Sequence, residues 1–551
     1  MSEYTPLNVK TDYSIQKGFC QCDKIAEGCK EKGYKACAIN DIENMSGVPT
    51  FHKACKDNGI KPIIGCDFNS FSLFAKNKRG YFELIQFTSG YNSENFKLME
   101  SLKAVASKGN IACVVFSDSE PELHNKARKI PKDNLSSVIS KMFKNNFYEI
   151  IDTGTYYVDE SLAEAHRVMV LSGMKTNFKK MRSINKERWE ESNNQRFFDS
   201  SNFYLGANVL ESQIEQISKL VNSCDEYEIT AKPMLPEFKC PNEMSQDDYL
   251  KQLCREGWAS KLTRDVLHNE KIKQVYLDRV QLEMDVIFNA RLSGYFLIVQ
   301  DIVRYVRERG WIVGPGRGSA AGSLVSYLIG ITSVDPIEHD LLFERFYNEG
   351  RNTEDNVSLP DIDLDVPPSH RDEVIDYTKG LFGEDKVAQV ITFGRLQGKS
   401  ALKESLRVCG SVGFSEMNEI TDQIPETQEI SDKISASGEN SVIMWALKNN
   451  PDDLKSWCFI NSDDELQGSL SHEFDLAIKL EGAIKSKSTH ACGVVISKNK
   501  LSDICPVIDN KSGDPVVAFE MQDLESQGHV KFDILGLNVL TKIMEICNES
   551  N

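Results

Sequence analysis

The stretch WIVGPGRGSAAGSLVSYLIGITSVDPIEHDLLFERFYNEGRNTEDNVSLPDIDLDV, residues 311–366, joins a glycine-rich turn to aspartates at alternate positions. The glycines are Gly314, Gly316, Gly318 and Gly322, and the aspartates are Asp361, Asp363 and Asp365. Residues 312–313 are predicted to end a strand, and residues 320–329 to form a helix. A glycine turn between a strand and a helix points backbone N–H groups outward at the positive end of the helix dipole, an arrangement that suits phosphate.

The aspartates alternate with Ile362 and Leu364, which is the two-residue period of a strand. A strand here places all three carboxylates on one face, with Asp361 and Asp363 about 6.6 Å apart along it. Carboxylates at this separation can share hard cations, and phosphoryl transfer commonly uses two metals about 3.5–4 Å apart. The stretch therefore predicts nucleotidyl transfer.

Each part of this pattern is weak evidence when taken alone. The turn lacks the Lys-Ser/Thr pair of a Walker A loop, and Ala321 stands where a Rossmann fingerprint needs its third glycine. Alternate aspartates also occur in calcium loops and in strands that face solvent. The combination with one more aspartate, Asp533 in the predicted strand KFDILGL, supplies the parts of a two-metal transferase.

The composition excludes several classes of protein. The 551 residues are 40% hydrophobic and 26% charged, which predicts several ordinary globular domains. The amino terminus has no apolar signal region and no run approaches 18 apolar residues, so neither secretion nor membrane spanning is expected. The 15 cysteines are scattered, which is typical of reduced thiols in the cytoplasm, the predicted location.

The net charge of −18 argues against binding nucleic acid through bulk charge, although a local basic channel is compatible with it. Basic side chains cluster on both sides of the aspartate strand, and solvated helix faces are the alternative interpretation for each of them. They are Arg304, Arg307, Arg309, Arg317, Lys386, Arg395, Lys399, Lys403 and Arg407.

Short apolar strands and helices alternate over residues 1–235, which predicts parallel strands in an open sheet or a barrel. The predicted strands include FELIQF at residues 82–87, ACVVFSD at 112–118 and NFYEIID at 146–152. A polar connector at residues 175–200 and a boundary at Pro236 and Pro241 come before a predicted helix start at Ser245. Residues 246–309, 370–383 and 395–488 are predicted to be mainly helical, and THACGVVISKN, VVAFEMQ and HVKFDILGL to be strands.

Eight ordered motifs give this sequence a specific resemblance to a known family. They are LPEFKCPNEMSQDDYLKQLCREGW, GYFLIVQDIV, GPGRGSAAGSLVSYLIGIT, DLLFERF, LPDIDLD, QVITFGRLQGKSALKESLRV, THACGVVIS and VKFDILGL. In this order they resemble the bacterial replicative DNA polymerase III alpha subunits, the C-family polymerases, over nearly the whole chain. The resemblance implies an α/β multidomain fold. A PHP-type (polymerase and histidinol phosphatase) (β/α) barrel would be followed by a mixed-sheet palm of the beta-type nucleotidyltransferases, with an inserted helical thumb.

The resemblance also implies roles for individual residues. Asp361, Asp363 and Asp533 match catalytic aspartates that bind two Mg²⁺ ions, and Asp365 is a neighbour on the same face outside this triad. The nucleotide-binding candidates are Gly316, Arg317, Gly318, Ser319, Lys399, Arg407 and Lys531. Of these, Gly318 and Ser319 match the Gly-Ser turn that holds the incoming triphosphate, and for Lys531 an ion pair with the aspartates is the alternative. His490 is expected near the site without a catalytic role, in a motif where Cys492 replaces a glycine.

The first third of the chain departs from an active PHP domain at its metal site. A His-x-His pair opens that site in active members, whereas this chain has Asn8 and Lys10. The Thr-Asp-His motif becomes Asn40-Asp41-Ile42, and the later acidic position is Asp67. Imidazole is the usual ligand for zinc or manganese in such sites, and a lysine ammonium repels cations. We therefore predict a PHP fold without metal or nuclease activity that supports the palm.

The resemblance predicts both the domains and the partners. The boundaries are 1–235 for the PHP-like domain, 236–393 for a helical lead-in and first palm section, 394–488 for the thumb, 489–540 for the second palm section, and 541–551 for the start of missing fingers. The expected partners are primer-template DNA, dNTP and a second polymerase chain carrying fingers and carboxyl-terminal domains, with a sliding clamp reached through that chain. The expected location is the bacterial cytosol or a phage-infected host. The alternatives are a non-catalytic DNA-binding or scaffold fragment and a PHP-type phosphoesterase.

Overall fold

The computed structural model of the protein describes residues 4–93, 96–116, 132–150, 154–178, 204–206, 211–347, 360–510 and 512–550. The chain divides into two compact units, Met1–Glu228 with Phe393–Ser488 and Ile229–Thr392 with Thr489–Asn551. Most of the predicted polar connector lies outside the described residues. Among the described helices, none alone has the length and apolar character needed to cross a membrane. Glu270–Asn289 and Ser293–Glu308 meet that test only together, as a pair bent by 111°.

A five-stranded mixed sheet forms the centre of the amino-terminal section. Its strands, in spatial order, are β1 (Ala36–Ile42), β2 (Lys61–Asp67), β3 (Ser72–Ala75), β4 (Ile111–Phe116) and β5 (Phe147–Ile150). Its helices are α1 (Cys22–Glu31), α2 (Val48–Asp57), α3 (Lys78–Tyr91), α4 (Leu98–Lys108), α5 (Lys132–Phe143), α6 (Ala163–Gly173) and α7 (Ile214–Asn222). β1 and β2 are parallel, as are β4 and β5, but β3 is antiparallel to both of its neighbours. The α/β fold is confirmed, and the expectation that all strands are parallel is wrong at β3.

The apolar run FELIQF, residues 82–87, lies within α3 and is not the predicted strand. The Asn77 side chain accepts a hydrogen bond from Gly80 N, which caps the helix at its start. Leu84 and Thr88, one helical turn apart, are both buried. The strand next to this helix in the chain is the short β3, which was not among the predicted strands.

Residues 6–10 extend this sheet beyond β1. Asn40 N donates to Val9 O at 2.9 Å, and Lys10 N donates to Thr155 O at 2.8 Å. The described part of this sheet thus has five strands, extended by residues 6–10 and by the pairing of these residues with Thr155, and closure into a barrel stays a prediction. The pairing places Lys10 beside Asn40 at the edge of the sheet.

Helices lead into the first two strands of a second sheet. The helices are α8 (Gln246–Lys261), α9 (Arg264–His268), α10 (Glu270–Asn289), α11 (Ser293–Glu308), α12 (Leu324–Leu328) and α13 (Arg371–Phe382), and the strands are β6 (Asp363–Val366) and β7 (Val387–Arg395). Ser245 caps α8, as predicted. The predicted strand at residues 312–313 is not formed. The predicted helix at 320–329 is split, because a 3₁₀ turn at Gly318–Gly322 ends at Ser323, which caps the separate helix α12.

The section from residue 398 to residue 480 is mainly helical, as predicted. Its elements are α14 (Gly398–Cys409), α15 (Phe414–Asp422), α16 (Thr427–Ser437), α17 (Val442–Asn449), α18 (Pro451–Leu454) and α19 (Ser471–Leu480), with a hairpin of β8 (Phe459–Ile460) and β9 (Leu466–Gln467). α14 packs against α19 and against α6, which belong to the same unit. The assignment of this section as a thumb stays a prediction.

A six-stranded mixed sheet is completed by the last part of the chain. The remaining elements are β10 (Ile484–Ile496), β11 (Val507–Asp509), β12 (Pro515–Val517), α20 (Met521–Ser526), β13 (Lys531–Gly536) and α21 (Asn538–Ser550). The spatial order is β11-β12-β7-β10-β13-β6, with β13 parallel to β6 and antiparallel to β10. The predicted strand VVAFEMQ is only partly a strand, since β12 ends at Val517 and α20 begins at Met521. Buried apolar side chains of β6 and β13, among them Leu364 and Ile534, belong to the core of this unit.

Candidate functional site

Two neighbouring strands bring the three aspartates together. Asp533 on β13 lies directly opposite Asp363 on β6, and Asp361 precedes β6 by two residues. One carboxylate oxygen from each of the three lies within 4.8 Å of the others. Ile362 and Leu364, the alternate residues, are buried in the core. The alternation that the sequence predicted is present, and it leaves the carboxylates on the face away from that core.

The electrostatics of this cluster suit a divalent cation. Burial raises the pKa of both Asp361 and Asp363, opposed chiefly by Lys531 at Asp361 and by Arg317 at Asp363. Asp533 is 7% exposed, and its Oδ1 atom has no hydrogen-bond partner among the described residues. A buried carboxylate oxygen without a donor is costly unless a cation satisfies it. The triad therefore fits a metal ion that prefers oxygen ligands, such as Mg²⁺.

Lys531 lies among the acidic side chains of this cluster. Its Nζ is 3.2 Å from Asp533 Oδ2, 3.7 Å from Asp361 Oδ1 and 3.9 Å from Glu525 Oε1. The ion pair that was the alternative for Lys531 is thus formed in this structure. Glu525, at the end of α20, was not predicted as a neighbour, and burial raises its pKa. No pattern around Glu525 predicts that it is a site residue. Glu525 lies near the triad because its helix, α20, directly precedes β13, which carries Lys531 and Asp533.

The glycine turn approaches the triad closely. Gly316 and Gly318 have φ angles of +105° and +64°, in the left-handed region that favours glycine. A Cβ atom on Gly318 would lie 3.3 Å from Asp363 Oδ2. A Cβ atom on Gly316 would lie 2.8 Å from the Thr332 side chain. The backbone at Gly318 is therefore open to a ligand that is held next to Asp363.

Arg317 contacts two of the aspartates. Its Nε donates to both Asp365 oxygens, at 3.0 and 3.1 Å, and its Nη2 lies 3.4 Å from Asp363 Oδ1. The Asp365 side chain is buried, whereas 43% of the Arg317 side chain is exposed. Asp365 thus anchors Arg317, whose exposed part faces solvent beside the turn. This contact agrees with the expectation that Asp365 lies outside the triad.

The helix that follows the turn does not offer its amino terminus to a ligand. The N–H groups of Leu324 and Val325, at the start of α12, each donate to the Glu283 carboxylate at 2.9 Å. A protein anion thus already occupies the first N–H groups of α12, and phosphate binding by the N–H groups of the turn itself stays a prediction. Glu283 lies on α10, about 40 positions earlier in the chain, and the local signals for it are its spacing of four from Arg279 and its place on the buried face of that helix.

Two predicted nucleotide contacts, Lys399 and Arg407, lie in the other compact unit. Lys399 Nζ is 2.8 Å from Asp422 Oδ1, and Arg407 pairs with Glu404. Their assignment to nucleotide or template stays a prediction. The structure does not bring them into the carboxylate cluster, whose residues all belong to the unit that contains β6 and β13.

His490 orders the strand beside Asp533. Its Nδ1 accepts hydrogen bonds from Cys492 N at 3.2 Å and Gly493 N at 2.9 Å. Gly493 lies opposite Asp533 in the β10–β13 pair. His490 is therefore a neighbour of the site through the backbone of β10.

A second polar cluster lies in the amino-terminal section and contains Asn8, Lys10, Asn40 and Asp67, which the resemblance matched to the metal site of active PHP domains. Lys10 Nζ is 2.6 Å from Asp67 Oδ2 and 2.5 Å from Asn40 O, and Asn40 Nδ2 donates to Asn8 Oδ1 at 3.1 Å. The Lys10 side chain is 2% exposed. Asn8, Lys10 and Asp67 line a cavity of about 40 Å³. An ammonium group thus supplies the positive charge in this cavity.

Asp41 is held apart from that cavity by neighbouring donors. It accepts from Thr11 N at 2.7 Å, from Thr11 Oγ1 at 2.6 Å and from Ser14 Oγ at 2.6 Å. Burial raises the pKa of Asp41, and these three hydrogen bonds oppose the rise. The lone pairs that a metal would need are therefore largely taken by the protein.

The fold and the site define a mixed α/β protein in which a carboxylate cluster that could hold a metal ion lies beside a glycine turn. The family described as bacterial DNA polymerase III alpha NTPase domain matches residues 248–536, and the PHP domain family matches residues 6–208. The chain belongs to the bacterial DNA polymerase III alpha family.

Similar curated proteins carry the name DNA polymerase III subunit alpha. The one from Pseudomonas aeruginosa is 30% identical over 600 residues, covering 99% of this chain and 49% of the relative. The one from Bacillus subtilis is 32% identical over 590 residues, covering 98% and 49%, and one from Buchnera aphidicola is 32% identical over 593 residues, covering 98% and 48%. The chain spans about half the length of the curated relatives it matches.

Proposed function

We propose that this chain provides the catalytic palm of a DNA-directed DNA polymerase, which transfers a nucleotidyl group from dNTP to the 3′-hydroxyl of a primer paired with template DNA. The observation that carries the proposal is the convergence of Asp361, Asp363 and Asp533 within 4.8 Å beside the glycine turn, in a member of this family. The curated relatives are named as polymerase subunits, which supports the same activity here.

The aspartates would hold two Mg²⁺ ions, which lower the pKa of an attacking hydroxyl and stabilise charge on the phosphates when bound. Gly316 and Gly318 allow the backbone to approach a triphosphate, and the Ser319 hydroxyl can donate to it. Arg317 would exchange its contact with Asp363 for phosphate oxygens, which its planar guanidinium binds in a bidentate manner. Lys531 offsets the negative charge that the substrates add.

The partners of the proposed polymerase are primer-template DNA, dNTP and the remaining polymerase domains. We propose that fingers and carboxyl-terminal domains, carried by a second polypeptide, complete the enzyme and reach a sliding clamp. Lys399 and Arg407 would contact nucleotide or the template backbone. The relatives are bacterial, so the proposed location is the bacterial cytosol or a phage-infected host.

Primer extension with Mg²⁺, with and without a polypeptide covering the second half of the family, tests the proposal. The double variant Asp361→Asn/Asp363→Asn should lose at least about 100-fold in incorporation, because the cation ligands are removed. Circular dichroism should be unchanged, since the substitutions also remove carboxylate repulsion. Asp372→Asn, at a fully solvated position on α13, is the matched control. Equal extension by the double variant and the parent would refute the proposal.

The two alternatives predict different results in the same assays. A scaffold that keeps the palm without catalysis predicts no incorporation even when the second polypeptide is present. A PHP-type phosphoesterase predicts Mn²⁺-dependent nuclease activity that disappears in Asp41→Asn/Asp67→Asn. The Lys10 ammonium bound to Asp67 argues against the second alternative, because it would repel the ions that such a nuclease needs.

A further inference from the structure

A buried ion pair on α10 holds the end of the glycine turn. Arg279 Nε donates to Glu283 Oε1 at 2.6 Å, and the Glu283 side chain is fully buried. A buried carboxylate is retained only when its oxygens are well satisfied. The hydrogen-bond partners of Arg279 and Glu283 therefore indicate the structural role of the pair.

Glu283 binds the chain just after the turn. Its carboxylate accepts from Ser323 Oγ at 3.0 Å, in addition to the N–H groups of Leu324 and Val325. With the bond from Arg279, four donors thus converge on one carboxylate. The two backbone donors and the Ser323 hydroxyl all belong to the junction between the 3₁₀ turn Gly318–Gly322 and α12, so Glu283 fixes that junction.

Arg279 binds two backbone carbonyl groups, one at the end of the turn and one in the segment packed against it. Its Nη2 donates to Gly322 O at 2.6 Å and to Leu341 O at 3.0 Å. A Cβ atom on Gly322 would lie only 2.8 Å from Leu342 O, so the turn is packed tightly against the loop segment that contains Leu341 and Leu342. The pair on α10 therefore binds the carbonyl of Gly322, the last residue of the turn, through Arg279, and the polar groups of the three residues that follow it through Glu283.

The start of the turn is anchored on the aspartate strand. Gly314 N donates to Asp365 O at 2.9 Å, and Arg317 binds the Asp365 carboxylate. The turn is thus held to β6 at its entry and to α10 at its exit. The intervening residues Gly316–Ser319 are exposed or partly exposed, and Gly318 lies beside Asp363.

We infer that Arg279 and Glu283 are positioning residues that direct the triphosphate of a nucleotide to the Gly316–Ser319 backbone and away from the start of α12. The inference rests on the proposed function. Glu283 accepts from the first N–H groups of α12, which are therefore not available to phosphate. Because Arg279 binds the Gly322 carbonyl, it fixes the distance between the turn and the aspartates. Neither residue needs to touch the nucleotide.

The test uses the full chain with dATP and Mn²⁺ as probes. Glu283→Gln keeps the shape of the side chain but loses the charge and one acceptor, since the amide nitrogen that replaces a carboxylate oxygen cannot accept from the N–H donors. Asp285→Asn, an exposed change of the same charge on the same helix, is the control. Arg279→Lys is a milder second variant that keeps the charge. Equilibrium binding of dATP, Mn²⁺ affinity and hydrogen exchange of peptide 311–323 are measured, and circular dichroism checks folding.

Glu283→Gln should weaken dATP binding roughly tenfold and speed exchange in peptide 311–323 by a similar factor, because a charge-assisted hydrogen bond is lost. Mn²⁺ affinity should change less than twofold, and Arg279→Lys should give a smaller effect of the same kind. Asp285→Asn should match the parent in each measurement.

Unchanged dATP binding in a folded Glu283→Gln would overturn the inference, as would an equal loss of Mn²⁺ affinity, which indicates a general disturbance of the site. A parent chain that binds Mn²⁺ but no dATP, both alone and with the polypeptide covering the second half of the family, would overturn the proposed function. The inference would then fall with it, and faster exchange in the variant would reveal only a structural clamp.

Discussion

Lys531 is the one residue whose ammonium contacts both Asp361 and Asp533 among the described residues. Replacing it by Met keeps the packing of the stem and removes the charge. The remaining carboxylates then repel one another without compensation, so the variant should lose about 1–2 kcal/mol of unfolding free energy at neutral pH without metal. Chemical denaturation in EDTA measures this loss.

The loss in Lys531→Met should depend on pH in a defined direction. Burial already raises the pKa of Asp361, and Lys531 opposes that rise. Without the ammonium, the folded-state pKa moves further above that of the unfolded chain, so the deficit grows as pH increases through the range where Asp361 ionises. The deficit should be small in acid, and Mn²⁺ should restore stability at neutral pH. A deficit that does not vary between pH 4 and pH 8 would contradict this account.

Lys10 has the same chemical role in the amino-terminal cluster, but deeper in the protein. Lys10→Met removes the partner of Asp67 and leaves the Asn40 carbonyl without its donor, so the unfolding free energy should fall by about 3 kcal/mol. Lys24→Met, at an exposed pair with Glu27, should stay within about 0.5 kcal/mol of the parent. Denaturant titration of both variants checks the difference, and equal stabilities would show that the Lys10 pair is dispensable.

At the scale of the element, the glycine turn depends on backbone conformations that only glycine adopts cheaply. Gly318→Ala places a Cβ at φ +64° and 3.3 Å from Asp363 Oδ2, so it should cost about 1–2 kcal/mol and weaken dATP binding. Gly380→Ala on α13 is the matched control, because its Cβ meets nothing within 4 Å in an ordinary helix. It should stabilise the chain by about 0.5–1 kcal/mol. Thermal unfolding of the two variants should therefore shift in opposite directions.

The elements that the sequence predicted well are those with a regular local period. Ile362 and Leu364 alternate with aspartates, and a strand with one apolar and one acidic face is the simplest structure that separates them. Residues 82–87 fit either period over so short a run, and the cap at Asn77 decides for helix. The short β3 carries too few residues to show a period at all.

The parts of the site that sequence reasoning missed depend on contacts between distant elements. The period of α10 places Glu283 on the face of Tyr276 and Ile287 but does not identify its donors, because Leu324 and Val325 are brought to it by the turn. Glu525 was missed for a different reason: it lies only six residues before Lys531, but no pattern around it predicts that it contacts the lysine. The meeting of Asp533 with Asp363 could be anticipated only from the order of motifs in a known family, since no local signal joins the two segments.

At the scale of the whole molecule, the chain contains two clusters of acidic residues that differ in how many of their carboxylate oxygens have partners within the protein. In the amino-terminal cluster the protein supplies the cation and the donors, from Lys10 to Asp67 and from Thr11 and Ser14 to Asp41. In the cluster of Asp361, Asp363 and Asp533, a buried oxygen of Asp533 has no hydrogen-bond partner among the described residues. Only the second arrangement leaves oxygen ligands open to a divalent ion.

This contrast predicts how many metal ions the chain binds and where. Titration with Mn²⁺, followed by electron paramagnetic resonance of the free ion, should give two bound ions per chain. Asp361→Asn/Asp363→Asn should lose both ions, whereas Asp41→Asn/Asp67→Asn, checked for folding by circular dichroism, should lose neither. Ions that persist in the first variant and vanish in the second would place the metal in the PHP domain. The Lys10 ammonium would then have to leave Asp67 for the ions to bind, and the palm triad would lose its proposed chemistry.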